Sequence, residues 1–219
     1  MPLIPSKRTA TALMLAVFCA TWIHPIWPAE QALHCSLTLA GLAFLWRHVK
    51  RNGASDRDYC LIALFIAVHS IAARWLYSNV PYDQWLTTAF GVSLEHSLGW
   101  TRNNFDRLVH FLYGFCLTPA IMSHARKQLA TNAKRSFVVA ISAIMITSLW
   151  YEWFEWLVAA TLSAQDAESY NGQQGDMWDA HKDMLAATLG SLAWSIPALR
   201  SRARIQAAPP AAASGGRVT

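Results

Sequence analysis

Six mostly apolar segments, bounded by charged residues, proline or glycine, constrain this chain more than any other feature. They cover residues 9–24, 30–46, 58–77, 106–124, 136–160 and 177–198. A helix needs about 20 mainly apolar residues to cross a bilayer, and here 54% of the 219 residues are hydrophobic while 14% are charged. The pattern predicts an all-α fold, a polytopic helical membrane bundle of about six transmembrane helices within residues 1–199.

The two ends of the chain lead to separate expectations. Lys7 and Arg8 precede the first span as in a signal peptide, but Phe18 and Trp22 occupy positions where cleavage requires small residues. We therefore expect an uncleaved first span. Residues 200–219 are rich in alanine, proline and glycine, a composition that buries too little surface to fold, and they are predicted to form a flexible cytoplasmic tail.

Charge predicts the orientation of the bundle. With six spans and a cytoplasmic N-terminus, 14 of the 18 lysines and arginines lie on the inner side and 11 of the 13 acids lie on the outer side. Short loops rich in lysine and arginine stay in the cytoplasm during insertion, so both termini are predicted to be cytoplasmic. The net charge of +5 is then a topology signal. It argues against nucleic acid and leaves the lipid bilayer as the predicted partner.

Two polar clusters lie at the predicted outer ends of the fourth and fifth spans. Asp106 and His110 are four residues apart, which places them on one face of a helix, just after Arg102. Glu152 and Glu155 lie three apart within an aromatic stretch of the fifth span. Charged groups that face lipid are costly, so we expect these side chains to face the protein interior or a water-filled cavity. The tryptophans around the two glutamates favour an interfacial belt over a substrate-stacking role.

A third polar cluster opens the sixth span. Asp176, Asp179 and Asp183 recur at i, i+3 and i+7, the spacing of one helical stripe, with His181 between the last two. Two structural roles compete with function here: Asp176 as a helix cap and Asp179 as a first-turn charge that offsets the helix dipole.

Several carboxylates at one depth repel each other unless something offsets their charge. Three solutions stay open: a shared proton, pairing with Arg102, Arg107 or Lys182, or a bound divalent cation. Oxygen ligands with one or two imidazoles suit Mg²⁺, Mn²⁺ or Ca²⁺, and Zn²⁺ if His110 and His181 both coordinate. A divalent metal cation is thus the candidate cofactor, and a phosphate-bearing lipid headgroup is the candidate partner.

The ordered clusters resemble the YjdF-like family of inner-membrane proteins, a family of unknown function, over most of residues 58–195. The resemblance rests on R-N-x-x-D-R-x-x-H-F from Arg102, E-x-x-E-W from Glu152, and G-D-x-W-D-x-x-x-D-M from Gly175. The chain departs from the family at His181-Lys182, where Gln-Trp is common, and at residues 74–77. A bacterial inner-membrane location is implied. At greater distance the same order looks like the VanZ-like membrane proteins, which implies a role in the cell envelope.

Two functional hypotheses follow. The first is an outward-facing site, metal-assisted, that binds or hydrolyses an envelope lipid or lipid-linked precursor. Its candidate residues are Asp106, His110, Glu152, Glu155 and Asp179 as catalytic groups, Arg102 and Arg107 as substrate-binding groups, and Asp176, Asp179, Asp183 and His181 as metal ligands. The alternative is non-catalytic: a solute or proton carrier, or a membrane scaffold. The sequence leaves open whether the protein is an enzyme.

Overall fold

The computed structural model describes residues 4–196, and all the regular structure in that range is helical. The helices are α1 (Lys7–Thr21), α2 (Pro28–Asn52), α3 (Asp56–Arg74), α4 (Tyr82–Phe90), α5 (Leu94–Leu98), α6 (Phe105–Gln128), α7 (Ala133–Ala159), α8 (Ala164–Asn171) and α9 (Asp179–Leu192). Each of the six predicted spans overlaps one helix of at least 14 residues, which confirms the all-α helical class. The connections between the third and fourth spans and between the fifth and sixth hold the short helices α4, α5 and α8. The predicted tail, 200–219, lies outside the described residues.

Side-chain caps explain where three long helices begin. The side chains of Ser6, Ser55 and Asn132 each accept a hydrogen bond from the backbone N–H three residues later, at 3.2, 3.0 and 3.0 Å respectively. Such a cap satisfies one of the donors that a helix start leaves unpaired. Helix α2 begins at Pro28 and ends before Gly53, whose φ of 71° a side chain would strain.

Two helices within residues 4–196 are both long and apolar enough to cross a membrane, namely α6 and α7. With 15 and 14 residues, α1 and α9 reach only about 22 and 21 Å at 1.5 Å per residue, against a hydrocarbon layer of about 30 Å. The count of six crossings and the cytoplasmic position of both termini therefore remain predictions.

Helices α6 and α9 run parallel and cross at two glycines. A methyl group added at Gly114 would collide with the backbone of Ala187, and one added at Gly190 would collide with the backbone of Phe111 and Phe115. Small residues allow this close approach, which is the usual way for helices to associate within lipid. One helical turn further from the start of α6, the hydroxyls of Thr118 and Ser191 share a hydrogen bond of 2.7 Å.

A tryptophan repairs the defect that a proline makes in α6. Pro119 has no N–H, so the carbonyl of Phe115, four residues earlier, loses its helical donor. The indole N–H of Trp194 donates to that carbonyl at 2.7 Å, and its ring lies 5.4 Å from the Phe115 ring. Freed backbone groups must find partners in an apolar environment, and this contact joins the end of α9 to α6.

The outer surface of the bundle is apolar while much of its interior is polar. Large exposed side chains include Leu13, Phe44, Val138, Met145, Trp150, Trp153 and Trp156. Buried groups include Gln31, His34, Asp58, Asp106, Asp183 and Ser191. This distribution suits a chain surrounded by lipid. The three exposed indoles on α7 fit an interfacial position better than a stacking role.

We expect Gly190→Ala to destabilise the protein by about 1–3 kcal/mol, the usual range for overpacking, because its methyl group would meet backbone atoms of α6. Gly41→Ala is the matched control, since an added Cβ there meets nothing within 4 Å. Thermal unfolding of both purified variants in detergent checks this. Equal melting temperatures would contradict the close α6–α9 contact.

Candidate functional site

The predicted polar clusters meet at one end of the bundle, called here the outer end. The first two turns of α6 and α9 carry Asp106, His110, Asp179 and Asp183, and the parallel crossing places these turns side by side. Helix α7 runs antiparallel to both and brings Glu152 to the same level. The acids form two layers, which differ in whether basic side chains pair with them.

The outer acid layer, Asp176 and Asp179, is held by two arginines. Arg102 Nη1 lies 2.5 Å from Asp179 Oδ1, and Arg107 Nη2 lies 2.5 Å from Asp176 Oδ2, with cross-pairs at 3.5 and 3.3 Å. Lys182 Nζ adds a contact of 2.6 Å to Asp176 Oδ2. The hydrogen bond from Lys182, supported by the N–H of Trp178 and by Arg107, holds the pKa of Asp176 well below its usual range.

Arg102 also ties the segment before α9 to the start of α6. Besides pairing with Asp179, it donates to the carbonyl of Gln173 at 3.1 Å. Gln174 exchanges two hydrogen bonds with the backbone of Asn103, at 2.9 and 3.0 Å. Ser78 donates to the carbonyl of Gly172 at 3.1 Å. The layer therefore fixes residues 172–176 over the end of the bundle.

The inner acid layer consists of Asp106, His110, Glu152 and Asp183. All four side chains are buried, with relative exposures from 2% for Asp183 to 9% for Glu152. His110 Nε2 lies 3.5 Å from Asp106 Oδ1 and 3.9 Å from Glu152 Oε1. One ligand atom each from Asp106, His110 and Asp183 can be chosen so that all three lie within 4.8 Å of one another.

Two carboxylate oxygens of the inner layer lack hydrogen-bond partners in the described part of the chain. They are Glu152 Oε1 and Asp183 Oδ1, and Arg107 Nε is also unpaired, 4.0 Å from Asp183 Oδ1. Leaving buried polar atoms unpaired is costly, and three carboxylates around one imidazole repel each other. The donor set suits a hard divalent cation or Zn²⁺. Neighbouring ligands of one ion lie about 3.0–3.5 Å apart, so a bound ion would draw the more distant of these atoms together.

Other predicted site residues lie around these layers. Glu155 is half-buried and lies one turn beyond Glu152 in α7. His181 is exposed, and its ring packs against Trp178 with centroids 5.3 Å apart. The structure thus brings Glu155 near the inner layer, whereas His181 lies outside it.

An apolar cavity of about 210 Å³ adjoins the inner layer at His110. Its walls come from α2, α3, α6 and α7 and include Leu37, Gly41, Ile66, Val109 and Thr147, with Tyr151 near His110. The cavity therefore runs from the acid cluster alongside the apolar middle of the bundle.

A group of aromatic and imidazole side chains that the spacing argument missed includes His69 and Tyr77, which line this cavity, as well as His34 beside Tyr77 and Tyr170 beside His34. Tyr77 Oη lies 2.6 Å from His69 Nδ1, and His34 stacks on Tyr170 at 4.6 Å between ring centroids. Tyr77 has a left-handed φ of 57°, uncommon for a bulky residue. Residues of this kind carry no spacing signal because they come from four separate elements. In the sequence, the polar outer end of the third predicted span indicates only His69 and Arg74 as residues that could join the site.

These features define a class: a helical membrane protein with a buried carboxylate and imidazole cluster beneath one surface. The profile of a family described as "Predicted membrane protein (DUF2238)" matches residues 6–204, and the chain belongs to that family. It is 27% identical to the inner membrane protein YjdF of Escherichia coli (strain K12) over 202 residues, 87% of each chain. The protein is thus a bacterial inner-membrane protein. No solved structure matches it, and the VanZ-like resemblance stays a prediction.

Arg102→Gln is expected to destabilise the protein by about 3 kcal/mol, because it leaves Asp179 buried without its nearest cation. Lys182→Gln removes an equal charge from the same layer, but its side chain is 46% exposed against 10% for Arg102, so a loss below about 1 kcal/mol is expected. Thermal unfolding in detergent compares the two. Equal losses would show that burial does not determine the strength of these pairs.

Proposed function

We propose that this protein binds a divalent cation in the inner acid layer and presents it to the phosphate-bearing headgroup of an envelope lipid. The observation that carries the proposal is the pair of unpartnered oxygens on Glu152 and Asp183, buried beside Asp106 and His110. The lipid headgroup follows from the adjoining cavity and from the membrane location.

The balance of basic and acidic side chains in the two layers supports a bound cation in the inner acid layer. In the outer layer, Arg102, Arg107 and Lys182 offset Asp176 and Asp179. The inner layer holds Asp106, Glu152 and Asp183, and Arg107 reaches it only through a contact of 4.0 Å. A divalent ion would offset two of these charges and give the unpartnered oxygens a ligand, with His110 as the nitrogen donor.

The cavity supports a lipid as the second component. Its walls are mainly apolar, and it meets the acid layer at His110. Ligand sites in proteins commonly combine apolar walls with a few convergent polar groups. An acyl chain along α2 and α7 would place its headgroup beside the inner layer. A bound cation would there polarise the phosphate or lower the pKa of a bound water.

The pairing of the arginines changes how an anion would bind. Arg102 and Arg107 already hold Asp176 and Asp179, so a phosphate must displace a carboxylate or bind at the cation itself. The free Nε of Arg107 lies between the layers and is the donor best placed for an incoming oxygen. Within the proposal, Asp106 and Glu155 are the acid and base candidates beside the cation.

A solute or proton carrier requires a polar route to the opposite face. Below the acid layers the described core contains Cys116, Ala140 and Ile144 beside hydroxyls such as those of Ser136 and Ser148, and its next buried charged side chain is Asp58 at the opposite end. The hydroxyls of Thr118 and Ser191 satisfy each other at that depth. This favours a site open to one side, although flux through proteoliposomes that depends on Glu152 would reverse the preference.

Asp183→Asn is expected to remove most of the bound divalent metal from the detergent-purified full-length protein, because it neutralises a ligand beside His110. Glu152→Gln should lower the metal content as well. Metal per protein, measured by elemental analysis after incubation with Mn²⁺ or Zn²⁺ and gel filtration, gives the readout.

Asp58→Asn is the matched control. Asp58 has the same 2% exposure as Asp183, but Arg57 and Ser123 satisfy its carboxylate far from the site. Its metal content should equal that of the wild type. A wild type without metal, or monodisperse Asp183→Asn and Glu152→Gln variants with unchanged metal, would contradict the cation site.

Filling the cavity tests the lipid separately. Gly41→Leu should reduce co-purified lipid severalfold and leave the metal content unchanged, because an added side chain there enters open space in the cavity wall. Ala40→Leu adds a larger side chain at an exposed position of the same helix. Quantitative lipid mass spectrometry compares them, and equal lipid in both variants would argue against the cavity as an acyl-chain site.

A further inference from the structure

A second cavity, of about 220 Å³, lies at the opposite end of the bundle and is separate from the acid layers. Its walls come from the end of α2, the turn into α3 and the end of α6. Among the lining residues, His48, His124 and Lys127 carry donors, while Asp58 is the one acidic side chain. This cavity is called here the inner pocket, and it is distinct from the inner acid layer at the outer end. We propose that the inner pocket binds a phosphate group at the cytoplasmic face of the membrane.

The acidic residue of the inner pocket is already neutralised. Asp58 Oδ1 accepts from Arg57 Nε and Nη2 at 3.0 and 2.8 Å, and Asp58 Oδ2 accepts from Ser123 Oγ at 2.7 Å. Both oxygens therefore have partners, in contrast to Asp183 and Glu152 at the outer end. A cation has no free carboxylate to bind here, and the remaining polar groups favour an anion.

The donors of the inner pocket converge from two helices. The rings of His48 and His124 lie 4.9 Å apart between centroids, and Asn52 Nδ2 lies 3.2 Å from His48 Nδ1. Lys127 Nζ uses one of its three N–H donors on the carbonyl of Asn52, at 2.6 Å. An anion between the rings and the ammonium would accept from the donors left over.

The backbone adds to the attraction. Helix α3 begins beside the inner pocket, with Ser55 as its cap, and a helix N-terminus carries a partial positive charge. Lys50 and Arg51 lie in the adjacent last turn of α2. Basic pockets between membrane helices on the cytoplasmic side bind anionic headgroups. A phosphodiester of an anionic lipid and a free phosphate share the required chemistry.

The experiment compares Lys127→Gln and His124→Asn with Arg126→Gln in the full-length protein. Arg126→Gln removes one charge from the same helix end at a residue that does not line the inner pocket. Binding of phosphatidylglycerol, with phosphatidylcholine as the neutral lipid, is measured by native mass spectrometry in neutral detergent. We expect about fivefold weaker phosphatidylglycerol binding for Lys127→Gln, weaker binding for His124→Asn, and less than a twofold change for Arg126→Gln.

Titration with inorganic phosphate at constant ionic strength distinguishes the two sources of phosphate. Displacement of the lipid assigns the inner pocket to phosphate anions in general, whereas lipid binding without displacement assigns it to a lipid headgroup, and both results support the proposal. Equal weakening by Arg126→Gln and Lys127→Gln would show diffuse surface attraction and overturn it. Equal binding of the two lipids, or unchanged binding in both pocket variants, would overturn it too.

Discussion

The direct backbone contact between α6 and α9 determines the geometry of everything at the outer end. With glycine at 114 and 190 the two helices approach until added methyl groups would collide. Their first two turns, which carry Asp106 and Asp183, are then neighbours. A wider crossing would let water between the carboxylates and weaken their mutual influence, since electrostatic interactions fall as the effective dielectric rises. The two glycines thus keep the carboxylates of the acid cluster close together and away from water, which strengthens the electrostatic interactions among them.

The two acid layers differ in how the repulsion among their carboxylates is offset. Arginines meet the outer carboxylates in charge-assisted pairs, which fix the segment before α9 over the bundle. Asp183 and Glu152 lie deeper and keep unpartnered oxygens. Sequence spacing left pairing, a shared proton and a cation open as alternatives. The structure assigns pairing to Asp176 and Asp179, and the choice between proton and cation concerns the inner layer alone.

Helix geometry explains how much of this the sequence could predict. The i, i+4 pair of Asp106 and His110 needs only a helix, and its shared face is confirmed. Asp179 and Asp183 likewise share a face, but His181 lies about 200° around the helix from Asp179 at 100° per residue, which turns it outward. The stripe predicted to include Asp176 assumed that the helix began earlier than Asp179.

Contacts between residues that are far apart in the sequence could not be predicted from residue spacing. The pair of His69 and Tyr77 depends on a left-handed turn after α3, and the stacking of His34 on Tyr170 joins α2 to α8. Short helices in the connections were also missed, because five to nine residues give too little periodicity to detect. The bundle core and the acid faces were predictable, whereas the cavity wall was determined by tertiary packing.

The basic side chains at the outer end all have partners within the described residues. The predicted topology places 14 of the 18 basic residues on the inner side and leaves four for the outer side: Arg74, Arg102, Arg107 and Lys182. Arg74 donates to the backbone carbonyls of Thr21, Ile23 and His24 after α1. The other three bind acids of the outer layer. Each outward cation is therefore tied to a partner, and the inner carboxylates retain the negative charge that a bound ion would offset.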